Sequence, residues 1–452
     1  MIFYHCQLMK VALSIAGSDS GAGAGIQADL KTFSALGVYG CTAITAITAQ
    51  NTKKVTDILE VSPSVIERQI QSVMTDMPPA AIKVGMVYSK QTIDVVYRSL
   101  KKSRVPVVLD PILAAGTGAK LLQDDAYDSF VSKLIPTCSL ITPNRMEAEK
   151  LAGTKIRTES DGIEAAKRIR KLGAENVIVK GGHFGKSHVT DLLLDSNGRL
   201  TKIANPRVNI KESHGSGCNF SSAATAYLAR GMTLEEACRM ANEYVHIAIK
   251  NAVTIGKGLP VTNPLSAIHR DANRYCILTE LQQTVEQLSA INGMYKLIPE
   301  TQTNFVYALP DASEISDVAG VRGRIVRVGD AAIPASYVEF GASKHVASAV
   351  IAYMSVNPAF RSAINVKLDD RLVKICKLLF EVASYDRSKE PKSIKRKEGS
   401  SISWGTRHAV ATNPKTEVIY HAGDIGKEPM IIIFGKNPAE VIGKIIAILK
   451  KY

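Results

Sequence analysis

The sequence predicts an α/β protein: an open, mainly parallel sheet with helices on both faces, followed by a second, smaller α/β domain. Three observations carry this. Short β-rich apolar runs recur between Val11 and about Gly231, helix-period segments separate most of them, and a second set of such runs occupies the last third of the chain. The length of 452 residues suits two or three domains and excludes one small module. Apolar residues at 46% and charged residues at 22% supply enough side chains for sizeable cores and exclude a disordered polymer or a collagen-like fibre.

The runs of the first domain are VALSIAG (11–17), CTAITAITAQN (41–51), AIKVGM (81–86), VPVVLDP (105–111), SLITPN (139–144) and NVIVKGGH (176–183). Their near-continuous apolar character is that of strands buried on both faces, and helical patterns such as Gly25 to Leu36 and Gly162 to Leu172 lie between them. In such sheets ligands bind beyond the carboxyl ends of the strands, so the residue that follows each run is a candidate for chemistry. The string GKGLPVTN (256–263) reads as the exit, followed by a long helix pattern over about Asn263 to Ala290. The boundary is expected near residue 270, with residues 1–8 a leader or extended start, 9–265 the first domain, 266–274 a linker and 275–452 the second domain. In that second domain NFVYALP, GRIVRVGD, AINVKL, EVIYHAGD and PMIIIFG read as strands, and Ser343 to Met354, Asp370 to Glu381 and Pro438 to Lys451 as helices.

Lysine and arginine number 56 against 42 acidic residues, a formal net charge of +14 that suits anionic partners. The excess is diffuse, and the one basic stretch, Arg387 to Lys397, is broken by Glu390 and Pro391, so phosphorylated small molecules are expected as substrates rather than nucleic acid. Seven widely spaced cysteines include no CxxC pair and no zinc spacing, as in a reducing compartment. No apolar run approaches the roughly 20 residues needed to cross a bilayer. A soluble, cytoplasmic protein without a membrane partner is expected, self-associating into a homo-oligomer.

Two glycine-rich loops are candidates for chemistry. In GSDSGAGAGIQADLK, the residues Gly23, Gly25 and Ala28 match the G-x-G-x-x-A dinucleotide spelling. The second strand, however, ends in Gln50 and Asn51 where that reading wants an acidic residue, so a tight strand-to-helix turn is the better account. In HGSGC, His214 to Cys218, glycines precede a helical pattern, and the N–H groups of such a helix start converge on an anion. Cys218 falls in the first turn, where the helix dipole is expected to lower its pKa below the usual value of about 8.5; a small packing cysteine is the plainer alternative. Asp110 ends one strand, and Asn144 and Glu147 follow another; carboxylates and an amide there suit a hydrated Mg2+ between nucleotide phosphates. Lys180, with Gly181 and Gly182 after it, stands where a cation can neutralise a transferring phosphoryl group.

Taken together, AGSDSGAGAGIQADLKTFSALGVYG, AQNT, KVGM, LDP, TPNRMEAE, KGGH and HGSGC closely resemble the hydroxymethylpyrimidine/phosphomethylpyrimidine kinases of thiamine biosynthesis over about residues 9 to 265. The resemblance implies a ribokinase-like fold and ATP- and Mg2+-dependent phosphorylation of a pyrimidine alcohol and then of its monophosphate. It further implies that Asp29, Gln50 and Met86 line the pyrimidine site, that Gly215, Ser216 and Gly217 form an anion hole, and that Cys218 is the catalytic base. SDSGAGAG stands where that family usually has SDxSGGAG. A related vitamin kinase acting on a pyridoxal-like alcohol is the alternative.

The second domain has no phosphate loop of familiar spelling. Its polar clusters GRIVRVGD, EFGASKHVASAV, SYDRSKEP, EGSS and GDIGKEP place Arg324, Arg327, His345, Arg387 and Lys427 as cationic candidates for diphosphate and monophosphate groups. The same strings resemble the thiamine-phosphate synthase domain found chiefly in archaea, over roughly residues 275 to 452. That resemblance implies coupling of hydroxymethylpyrimidine diphosphate to hydroxyethylthiazole phosphate, with Arg324 and His345 on the family's essential arginine and histidine. A ligand-sensing regulatory domain is the alternative reading.

Overall fold

The structure, a computed structural model, describes residues 9–115, 118–181, 187–208, 213–386, 390–391, 400–423 and 428–452. The chain divides into two units, Met1–Ile268 and His269–Tyr452. No helix among the described residues is long and apolar enough to cross a membrane.

Nine strands form the sheet of the first unit: β1 (Val11–Asp19), β2 (Tyr39–Gln50), β3 (Val55–Glu60), β4 (Ala81–Val84), β5 (Val107–Leu109), β6 (Leu140–Ile141), β7 (Val177–Val179), β8 (His188–Leu194) and β9 (Leu200–Pro206). Their order is β3-β2-β1-β4-β5-β6-β7-β8-β9. The six strands from β2 to β7 in that order run parallel, while β3, β8 and β9 join antiparallel at the two edges. The chain goes from β1 outward to β2 and returns to place β4 on the other side of β1. That reversal opens a crevice between the loops after β1 and β4.

Helices cover both faces, and the side chains sort by the period of two that a strand imposes. Leu13, Ile15, Ile82, Val84, Val107, Leu109, Val177 and Val179 pack against α2 (Pro63–Asp76), α3 (Lys90–Leu100), α4 (Arg145–Ala152) and α5 (Glu159–Lys171). Their neighbours Ala12, Ala81, Val108 and Ile178 face α1 (Gly25–Ala35), α6 (Ser216–Ala229) and α7 (Leu234–Lys250). The two strands beyond β7, β8 and the edge strand β9, are partly polar and carry too little apolar patterning to stand out in the sequence.

The second unit holds a seven-stranded sheet of β10 (Phe305–Ala308), β11 (Val318–Val321), β14 (Val338–Phe340), β15 (Ser362–Lys367), β16 (Val382–Ser384), β17 (Val418–His421) and β18 (Met430–Gly435). Its order is β14-β11-β10-β15-β18-β17-β16, antiparallel except for the β16–β17 pair. The string GRIVRVGD does form a strand, β12 (Ile325–Val328), but its one strand partner among the described residues is β13 (Ala331–Pro334), in a hairpin separate from the sheet that is bridged to Thr303 at Ile325. One sheet face packs on α8 (Ser266–Ser289), α10 (Asp370–Leu379) and α12 (Pro438–Leu449), the other on α9 (His345–Met354) and α11 (Ser400–Thr412). Residues 266–274, read from sequence as a linker, are the opening turns of α8. Arg270 pairs with Asp317 and Arg274 lies 3.7 Å over the Phe340 ring, contacts that hold this helical stretch to the second unit.

Candidate functional site

The loop that follows β1 is folded onto its own carboxylate. Asp19 accepts hydrogen bonds from the N–H groups of Gly21 at 2.8 Å, Gly23 at 3.1 Å and Ala24 at 2.9 Å, and His214 Nε2 lies 3.2 Å from Oδ2. Burial opposes the charge on Asp19, but the His214 ring and the Ala24 and Gly21 N–H groups outweigh it and hold its pKa below the ordinary carboxylate value. The glycine-rich spelling thus makes an inward turn whose N–H groups are engaged by Asp19, not a dinucleotide cradle. A Cβ on Gly25, at φ +59°, would stand 2.4 Å from the Gly17 carbonyl, and one on Gly215, at φ +89°, 1.8 Å from the Gly23 carbonyl. Only glycine permits the turn before α6 to press so closely on the loop after β1.

Gln50 and Met86 border this seam. Gln50 Nε2 lies 3.2 Å from His214 Nε2, and the Thr48 hydroxyl donates to Gln50 Oε1 at 3.3 Å. Met86, just beyond β4, is buried beside Ala46 and Leu121, and its sulfur would be 2.9 Å from a Cβ on Gly17. Asp29 does not join them. Expected to line the pyrimidine site, it is fully buried: the Ser14 and Ser222 hydroxyls each donate to it at 2.6 Å, and Lys83 is its ion-pair partner. The physical reason is helix geometry, which turns this position of α1 inward against the sheet and α6.

On the other side of the seam, α6 begins at Ser216 with Gly215 as its N-cap and no capping side chain. The N–H groups of Ser216, Gly217 and Cys218 therefore have no partner within the helix. This helix start stands beside a charged cluster: a Cβ on Gly217 would be 3.3 Å from Lys180 Nζ and 3.9 Å from Asp110 Oδ2. Asp110 lies 3.5 Å from Lys180 and accepts from the Ser221 hydroxyl at 3.1 Å. Burial works against the Lys180 charge, but Asp110 and Glu147 reverse that and raise its pKa. Asp191 accepts from the Gly181 N–H at 2.8 Å and from the Asn242 amide at 2.7 Å, fixing the chain just after Lys180. Gly182 lies outside the described residues.

Asn144 and Glu147 share a capping box at the start of α4, each side chain accepting from the other's backbone N–H at 2.9 and 2.8 Å. Glu147 is buried, and burial pushes its pKa up to about 7, with Asp110 adding to the effect and Lys180 opposing it. Asn144 is exposed and its backbone bridges to Lys180. The Cys218 thiol departs from the sequence expectation. Burial, aided by Asp110 and Asp29, pushes its pKa up to about 11, against Lys83 and the Gly25 N–H. At 7% exposure the dipole of the helix start does not offset the loss of water around the sulfur. Sequence reasoning assigned no role to Asp19, His214 or Lys83. The one legible signal was a lysine inside the otherwise apolar run AIKVGM.

In the second unit Arg324 is exposed and occupies the turn between β11 and β12 at φ +71°, an uncommon left-handed conformation for a side chain of this size. Its guanidinium donates to the Thr301 carbonyl, and Thr303 and Ile325 exchange backbone hydrogen bonds of 3.1 and 2.7 Å. His345, also exposed, opens α9. Ser343 ahead of it packs on Gly320, where a Cβ would be 3.2 Å from the Ser343 Cβ and 3.0 Å from Asn304 Oδ1. Asn304 in turn exchanges hydrogen bonds of 3.0 Å with the Val321 backbone. Both candidates are thereby tied to β11. Arg327 is folded against the Tyr295 ring at 5.0 Å and donates to the Gly329 carbonyl. Arg387 and Lys427 lie outside the described residues.

The fold and the glycine-led helix start define a ribokinase-like kinase unit joined to a second α/β unit. The family model described as phosphomethylpyrimidine kinase matches residues 19–263, and that described as thiamine-phosphate synthase ThiN matches residues 280–447. The bifunctional thiamine biosynthesis protein ThiDN of Methanocaldococcus jannaschii is 31% identical over 98% of this chain and 99% of its own. The hydroxymethylpyrimidine/phosphomethylpyrimidine kinase of Rhizobium meliloti is 43% identical over 58% of this chain and 98% of its own. Among solved structures, an ADP complex of Bacillus subtilis pyridoxal kinase superposes with a TM-score of 0.54 at 33% identity, covering 57% of this chain and 99% of that one. The chain belongs to the family of bifunctional thiamine biosynthesis proteins, with a hydroxymethylpyrimidine/phosphomethylpyrimidine kinase domain followed by a thiamine-phosphate synthase domain.

Proposed function

We propose that the kinase unit moves the γ-phosphoryl group of ATP onto the hydroxymethyl oxygen of the aminopyrimidine, and then onto its monophosphate, in the crevice between the loops after β1 and β4. One observation carries the reading: the bare first turn of α6, Lys180 and Asp110 meet on one side of the seam, with Gln50 and Met86 on the other. The N–H groups of Gly215, Ser216 and Gly217, with the Lys180 cation, bear the charge of the transferring phosphoryl oxygens. Gln50 offers an amide to the heterocycle edge, Met86 supplies apolar contact, and Asn144 meets the nucleotide from the start of α4.

Asp110 and Glu147 are close enough to raise the proton affinity of Glu147, and no group of three or more His, Cys, Asp or Glu side chains among the described residues is placed to hold a metal. Two carboxylates fit Mg2+ held through water. When bound, that ion supplies positive charge to the phosphate oxygens. Cys218 accepts the hydroxyl proton as the oxygen–phosphorus bond forms and the bond to ADP breaks. A loose phosphoryl-transfer transition state calls on the base late, and because burial keeps the Cys218 thiol largely protonated at neutral pH, turnover follows its thiolate fraction.

In the synthase unit, Arg324 stabilises the diphosphate that leaves the pyrimidine methylene, and His345 orients that group or supplies it a proton. Six free cysteines among the described residues suit a reducing cytoplasm. The test is incubation of the purified chain with ATP, Mg2+, hydroxymethylpyrimidine and hydroxyethylthiazole phosphate. Thiamine phosphate and free diphosphate are the expected products. Phosphorylation of pyridoxal in preference to the pyrimidine would overturn the kinase assignment, and pyrimidine diphosphate accumulating without thiamine phosphate would overturn that of the synthase.

A further inference from the structure

Lys83 is a buried cation that the proposed reaction does not yet use. It is 0% exposed in the middle of β4, on the sheet face covered by α1 and α6, whereas its neighbours Ile82 and Val84 pack into the opposite core. Its side chain runs toward the carboxyl end of the strand: a Cβ on Gly85 would be 3.7 Å from both Cε and Nζ. An isolated ammonium there would be very costly. Asp29 neutralises it, and the Asp29 oxygen that pairs with Lys83 also accepts from the Ser222 hydroxyl at 2.6 Å. Ser222 lies one helical turn after Cys218, so the pair sits beneath the opening turn of α6. Buried ion pairs are often no more stabilising than apolar side chains of the same volume, so stability alone does not account for this one.

We propose that Lys83 is a positioning residue of the kinase reaction: its ammonium, held by Asp29 under the first turn of α6, is the fixed counter-charge against which the Cys218 thiol ionises. This rests on the reading of Cys218 as proton acceptor. The groups whose charge or N–H bears on the sulfur are Lys83 from β4, Asp29 and the Gly25 N–H from α1, Asp110 after β5 and Lys180 after β7. Of the charged groups, Lys83 acts most strongly on the thiol. Without it the sulfur faces two carboxylates with only Lys180 to balance them, and the thiolate is disfavoured.

The test compares the full-length protein with Lys83→Met, with Asp29→Asn and with Lys83→Met/Asp29→Asn, following alkylation of Cys218 by iodoacetamide against pH through mass spectrometry of its peptide. Lys83→Met is expected to move the alkylation midpoint up from wild type by about one pH unit or more, so that the rate at pH 9 falls about tenfold, and the double variant to lie as far above Asp29→Asn. The kinase kcat should fall in step, with KM for ATP within about twofold of wild type. If Lys83→Met fails to fold, the double variant carries the decision against Asp29→Asn, because both lack the carboxylate and differ only in the lysine. A folded double variant with the Asp29→Asn midpoint would overturn the proposal. Cys218→Ala separates the two readings: full kinase turnover in that variant would remove Cys218 as base, while the alkylation midpoint would still decide the effect of Lys83 on the thiol.

Discussion

His214 Nε2 lies 3.2 Å from Asp19 Oδ2, and this contact fastens the turn before α6 to the loop after β1. The same ring nitrogen lies 3.2 Å from the Gln50 amide, so the His214 ring borders both the loop after β1 and the end of β2. At the same seam Gly215 approaches Gly23 so closely that no Cβ fits between the two backbones.

His214→Ala should therefore lower the kinase kcat/KM for hydroxymethylpyrimidine by about tenfold or more, a loss of roughly 1.4 kcal/mol in transition-state stabilisation. Steady-state assays with saturating ATP measure it. Thiamine phosphate formation from supplied pyrimidine diphosphate should be unchanged, and an equal loss in both assays would point to general unfolding instead.

Cys218→Ala should reduce kinase turnover by about a hundredfold or more, the usual worth of a positioned base. Because burial pushes the thiol up to about 11, wild-type kcat should climb with pH through the neutral range and into the alkaline, following the thiolate fraction. A flat profile between pH 7 and 9, with chemistry shown to be rate-limiting, would exclude the thiol as proton acceptor.

Glu147→Gln should stabilise the protein at alkaline pH and not at acid pH. Glu147 in the folded chain has a pKa of about 7, above its ordinary value of 4.5, so folding disfavours its ionised form. That stability penalty is absent below the unfolded pKa, grows as pH rises from there to about 7, and is constant above. Glutamine keeps the capping box and removes the charge. Thermal melts should show Tm rising by a few degrees at pH 8 with little change at pH 4.5, and Mg2+ affinity of the kinase falling.

Arg324→Ala and His345→Ala should each abolish thiamine phosphate formation while ATP-dependent formation of pyrimidine diphosphate stays within about twofold of wild type. Each side chain is exposed on the second unit, so its truncation leaves no buried cavity. A domain that only senses ligand would give the opposite pattern, with no synthase turnover in the wild type and an altered kinase response to thiamine phosphate in the variants.

The apolar runs and their spacing were sufficient for the parallel core strands, because burial on both faces demands continuous hydrophobicity over three or more residues. The antiparallel strands β3, β8 and β9 escaped that signal: VTDILE and LTKIANP, the two edge strands, alternate or carry charge, as strands with one wet face do. The helix pattern over about Asn263 to Ala290 is α8, and only the assignment of its opening to a linker departs from the structure, because Arg270 and Arg274 gain their partners, Asp317 and Phe340, from segments more than forty residues on.

By itself the sequence determined the architecture, the two chemistries and the glycine-led start of α6, since periodicity and local spelling act over short stretches of chain. The tertiary structure decided which candidates face the crevice and in what charge state. Asp29 is withdrawn into the protein by Ser14, Lys83 and Ser222, which lie 15, 54 and 193 residues away. Cys218 is made a weak acid by burial among groups from α1, β4 and the loop after β5. Solvation and Coulomb interaction depend on distance in space, and no pattern of neighbours along the chain encodes that distance.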